Sequence, residues 1–62
     1  MSYKVETSAG ELFEYLTKPS MRKIKSDLCI TGRKTEVVNY GCHWAMYKLR
    51  GTCYTFTLTE VC

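Results

Sequence analysis

The sequence predicts a small α+β domain, with one N-terminal helix packed on a four-stranded antiparallel meander. Three observations carry that expectation. Ser8 and Glu11 form an S-x-x-E capping pattern ahead of an apolar run. Gly32, Gly41 and Gly51 punctuate the chain at nearly even steps, as turn glycines do. Between and after them lie "TEVVNY", "HWAMYKL" and "TCYTFTLTEV", rich in the β-branched and aromatic residues that suit strands.

The helix is expected over residues 8–17. Leu12, Tyr15 and Leu16 share one helical face there, with Phe13 at its edge. Glu11 falls in the first turn, where the helix dipole favours an anion. Pro19 cannot extend the helix, and it disfavours the α conformation at Lys18. Four strands are expected over residues 22–30, 34–40, 43–49 and 52–60. A two-residue turn at Arg50-Gly51 sets Tyr47 opposite Tyr54 and Ala45 opposite Phe56. One at Gly41-Cys42 sets Tyr40 opposite His43 and Val38 opposite Ala45, and a three-residue turn at Thr31–Arg33 sets Leu28 opposite Glu36. With these registers Ile24, Leu28, Ile30, Val38, Tyr40, Ala45, Tyr47, Leu49, Tyr54, Phe56 and Leu58 share the face that the helix would cover.

A winged helix is the alternative. Met21, Ile24 and Leu28 recur at helical spacing, so residues 20–30 could form a helix, with the last two strands as the wing. Lys18 and Arg22 would then stand at the unfavourable end of the dipole. Gly32 and Thr35 would be poor residues in a recognition helix.

Length and composition bound what this fold can do. The sequence has 62 residues, which makes residues 1–62 a single domain. Chains of this size bury only about 60% of the surface exposed when unfolded, leaving little room for a catalytic pocket beside the core. The apolar fraction of 45% is that of a folded chain. No nucleophile–base constellation or cofactor fingerprint stands out, so a non-enzymatic protein without a cofactor is expected. Cys29, Cys42, Cys53 and Cys62 contain no C-x-x-C, and with His43 they match no zinc spacing, so no metal is expected. The N-terminus lacks an apolar signal core and no apolar run could span a bilayer, which points to a cytoplasmic protein away from membranes.

Charge suggests the partner. The formal net charge is +3, and its distribution is uneven. Lys18, Arg22, Lys23, Lys25, Arg33 and Lys34 crowd one segment against Asp27, whereas the first sixteen residues set Lys4 against Glu6, Glu11 and Glu14. In the expected sheet, Lys23, Lys25, Trp44, Met46 and Lys48 project from the face away from the helix. A tryptophan among lysines suits nucleic acid, with the ring stacking on bases and the cations meeting phosphates. The first expectation is therefore a nucleic-acid-binding regulatory protein, with Arg22, Lys23, Lys25, Arg33 and Lys48 on phosphates and Trp44 stacking. The second is an inhibitor or adaptor that docks on a partner protein through Trp44, Met46 and Val37, with lysines as a rim. A homodimer through an edge strand or the Trp44 face is compatible with either.

Overall fold

The computed structural model describes residues 2–61. Its strands are β1 (Ser2–Thr7), β2 (Leu12–Tyr15), β3 (Thr35–Tyr40), β4 (Trp44–Leu49) and β5 (Thr55–Val61), and one short helix, α1 (Met21–Asp27), connects β2 to β3. The strands form a single antiparallel sheet in the order β2–β1–β5–β4–β3. This overturns both the helix on a four-stranded sheet and the winged helix.

The N-terminal segment is a hairpin, not a helix. Tyr3 and Val5 turn to the core while Lys4 and Glu6 turn away, a period of two. Thr7 N–H donates to Glu11 O and Gly10 N–H to Thr7 O, both at 3.0 Å. Gly10, at φ 87°, supplies the left-handed residue of a three-residue hairpin loop. Glu11 N–H also donates to Thr7 Oγ1 at 3.1 Å. The spacing that resembles a capping box thus belongs to a turn. Phe13 and Tyr15 pack on the core, whereas Leu12 and Leu16, expected to cover the sheet, are 55% and 87% exposed.

Residues 22–30, expected as a strand, contain most of α1. Ser20 caps it, its Oγ accepting from Lys23 N–H at 3.2 Å. Pro19 is buried just ahead of the cap, where its missing N–H costs nothing. Ile24 and Leu28 enter the core and Met21 packs at its margin. At the far end Ile30 N–H donates to Lys25 O at 2.8 Å and Cys29 N–H to Ser26 O at 3.2 Å. That is a Schellman closure with Cys29 at the left-handed position, φ 61°. A non-glycine residue pays about 1–2 kcal/mol there. Cys29→Gly is therefore expected to raise the unfolding free energy by about 1 kcal/mol, read as a higher urea midpoint at unchanged slope.

The remaining strands follow the expected meander with altered registers. Arg50–Cys53 form a four-residue connection, closed by Leu49 N–H to Tyr54 O at 3.0 Å, so Tyr47 faces Phe56 rather than Tyr54. The shift is even, and each residue keeps its face. On β3 the register slips by one between Val37 and Asn39, at a bulge. Val37 therefore pairs with Tyr47, and Ala45 pairs with Tyr40 rather than with Val38 as expected.

The core is Val5, Ile24, Leu28, Ile30, Leu49, Phe56 and Leu58. It lies between α1 and one face of the sheet. The other face carries Lys4, Glu6, Trp44, Met46, Lys48, Thr55, Thr57 and Thr59, and no element of the described chain covers it.

Candidate functional site

The two groups of expected site residues stand on different sides of the sheet. Trp44, Met46 and Lys48 alternate along β4 with Ala45, Tyr47 and Leu49, so they occupy the face away from the core. Arg22, Lys23 and Lys25 lie on α1, which packs against the core face through Ile24. Arg33 is exposed in the turn after α1, its N–H donating to Ile30 O at 3.0 Å. A strand over residues 22–30 would have joined the lysines to Trp44 in one platform. The helix separates them.

The charges follow the same division. Lys4 and Lys48 share the outer face with Glu6, Glu14 and Glu36, and Lys4 Nζ pairs with Glu6 Oε1 at 3.3 Å. That face is not basic. On the helix side, Lys18, Arg22, Arg33 and Lys34 are exposed. Lys23 Nζ reaches Asp27 Oδ1 at 3.6 Å, one turn along α1. Tyr15 Oη donates to Asp27 Oδ2 at 2.7 Å and so ties β2 to the helix end.

Partial burial and the hydrogen bond to Asp27 push the Tyr15 hydroxyl up from 10.0 to about 12. The folded form therefore holds the proton more tightly than the unfolded chain. The resulting stability is fully present below pH 10 and is lost as pH rises towards 12. The stability gap between the native protein and Tyr15→Phe should be about 1 kcal/mol at neutral pH and shrink across that alkaline range. Urea titrations of both proteins at stepped pH would measure it.

Besides Leu12 and Leu16 at the opposite edge, a group of exposed apolar residues gathers at β3 and the β3–β4 turn. β3 is an edge strand on which Val37, Val38 and Tyr40 are 56%, 52% and 73% exposed. Trp44 follows at the start of β4, 37% exposed. Its indole lies against Gly41. A methyl group added there would sit 2.8 Å from Cε2 and 2.9 Å from Cδ1, so only glycine lets the ring rest on the turn. Gly41 N–H closes the turn by donating to Trp44 O at 2.8 Å. Met46 is half-buried opposite Asn39.

On the helix side of the same turn, Tyr3, Lys18, Tyr40, His43, Tyr47 and Glu60 line a cleft of about 280 Å³. His43 Nδ1 and Glu60 Oε1 approach to 3.1 Å, and Glu60 N–H donates to His43 O at 2.7 Å. Sequence reading missed the edge strand as an apolar surface and missed Tyr3 and Glu60 altogether. Val37-Val38 and Tyr40 were visible signals, but Tyr3 and Glu60 meet only through a pairing across most of the chain.

Cys29, Cys42 and Cys53 are free and exposed, and no group of three or more His, Cys, Asp or Glu side chains clusters among the described residues. Cys62 lies outside the described residues. No helix among them is long and apolar enough to cross a membrane. Comparison with protein-family models, with curated proteins and with solved structures finds no match.

Proposed function

We propose that this is a small non-enzymatic protein that docks on a partner protein through β3 and the adjoining Trp44, as an inhibitor or adaptor. The observation that carries the reading is the edge strand itself. Val37, Val38 and Tyr40 are each more than half exposed, beside unpaired backbone. Exposed apolar edges are normally shortened or charged. The other edge fits that rule, because β2 has only four residues and includes Glu14. β3 has six residues, and Glu36 is its one charge. An extended partner segment laid along β3 would gain backbone hydrogen bonds and cover all three side chains. Trp44 and Met46 would extend the contact onto the outer face, Trp44 as an anchor.

The test uses immobilised protein and a nuclease-treated lysate of the source cells. A stoichiometric partner is expected on the native protein and at least tenfold less of it on Val38→Lys, whose circular dichroism should be unchanged. Equal recovery on both would refute docking at β3.

A nucleic-acid partner is the second reading. It is favoured by the exposure of Lys18, Arg22, Arg33 and Lys34 on the helix side, with only Asp27 as a nearby acid on that segment. Lys25 would add to that patch, and Lys23 would contribute after leaving Asp27. Trp44, Met46 and Lys48 then lie outside the interface, so Trp44→Ala should leave a salt-sensitive affinity unchanged. Both readings suit a cytoplasmic protein, and self-pairing through β3 is compatible with either.

A further inference from the structure

α1 covers only part of its face of the sheet. Ile24 and Leu28 pack with Val5, Leu49, Phe56 and Leu58, and the cleft of about 280 Å³ opens beside them towards the β3–β4 turn. The registers build it. One row of side chains runs from Leu58 through Ala45 to Tyr40. The row outside it holds Tyr3 opposite Glu60, and the row inside holds Phe56 opposite Tyr47. Ala45 stands at the centre and offers only a methyl group. Tyr3, Tyr40 and Tyr47 line the cleft with Ala45 and Leu58, and the Tyr47 ring is held in place by its stack on Phe56. Glu60 sits at one end with its side chain 21% exposed, using Oε1 for His43.

From this arrangement we propose that the cleft binds a compact organic cation, an alkylammonium group seated among Tyr3, Tyr40 and Tyr47 with Glu60 as its counter-charge. Each component matches a need of that ligand. Aromatic faces attract a cation through their quadrupole, and do so most strongly when it is weakly hydrated, as an alkylated ammonium is. Ala45 and Leu58 accept its methyl groups. A carboxylate held on a central strand supplies charge without having to be ordered on binding. His43 is 66% exposed on its side chain, so it can swing away from Glu60 as the ligand enters. Lys18 also lines the cleft, from the exposed connection that follows Tyr15, and Tyr15 and Glu60 both pair with Tyr3, so an entering cation displaces the Lys18 ammonium from the Glu60 end. The site shares Tyr40 with the edge of β3, but it is tested on the protein alone and stands whether or not that edge docks a partner.

The same chemistry could arrive free in solution or as a methylated lysine of a peptide. The experiment follows tyrosine-ring and Ala45 methyl resonances of the 62-residue chain at about pH 8 and low salt. Four probes are titrated: choline, a short peptide carrying trimethyllysine, the neutral isostere of choline with carbon in place of nitrogen, and pivalate as an anion of similar bulk. A saturable shift with either cation is expected, about tenfold tighter than with the neutral isostere, and the tighter cation names the source. Glu60→Gln should weaken the preferred cation about tenfold. Ala45→Leu should abolish binding while leaving the backbone resonances of β1 and β2 in place. No saturable shift with either cation, equal affinity for the neutral isostere, or a preference for pivalate would each overturn the proposal. The comparison of probes on the native protein decides the matter even if a variant fails to fold.

Discussion

Truncating Ile24 to alanine is expected to lower the unfolding free energy by about 2–5 kcal/mol. Ile24 is 1% exposed and is the one fully buried residue of α1. It holds a seven-residue helix that is far too short to persist in water by itself. A domain of this size has a total stability of about 3–9 kcal/mol, so the loss takes most of it. Arg22→Ala, on the exposed side of the same helix, should change stability by no more than about 0.5 kcal/mol. Urea denaturation followed by circular dichroism would measure both. If Ile24→Ala proved as mild as Arg22→Ala, the packing of α1 on the sheet would be wrong.

The same residue explains why residues 20–30 fold as they do. Arg22 and Lys23 sit in the first turn of α1, which has no acidic residue to complement the dipole. That arrangement costs about 0.3–1 kcal/mol per charge at an exposed site. Burying Ile24 and Leu28 side by side is worth about 1.5–3 kcal/mol each. Packing outweighs the dipole, and the i, i+3, i+7 spacing of Met21, Ile24 and Leu28 was the better guide. The N-terminal segment reversed the lesson. The helical spacing of Leu12, Tyr15 and Leu16 was real but unused, because Tyr3 and Val5 found partners more than fifty residues away on β5. A capping box carries no information about such a partner. A glycine two residues after Ser8 was the local signal against a helix, and it sits in the left-handed turn.

The meander was legible for a simpler reason. Alternating faces on β4 and β5 survive any turn-length error that is even, and the Arg50–Cys53 connection differs from the expected turn by two residues. The bulge on β3 is odd, and there Val37 and Val38 exchanged roles. Exposure of Trp44 and of the basic residues could be read from strand alternation and charge. Their separation could not, because it depends on whether one eleven-residue stretch coils or extends. The Tyr3–Glu60 pair behind the cleft was hidden for the same reason as β1 itself: its partner lies at the other end of the chain.

Phe56→Ala is expected to cost about 3–5 kcal/mol and to leave the chain largely unfolded at room temperature. Phe56 is 1% exposed on β5, between β1 and β4. Its ring stacks on Tyr47 with centroids 5.4 Å apart and planes 22° from parallel, across a directly opposed pair. The loss therefore has two parts. One is the cavity, which leucine would partly fill, so Phe56→Leu should cost less than half as much. The other is the ring pair, worth about 0.5–1.5 kcal/mol beyond its buried area. A double-mutant cycle of Phe56→Leu with Tyr47→Leu isolates that second part. A coupling within this range supports the Tyr47–Phe56 register. A coupling near zero would count against that pairing and favour the register in which Tyr47 faces Tyr54, with Tyr47 still beside Ala45 on the same face of β4.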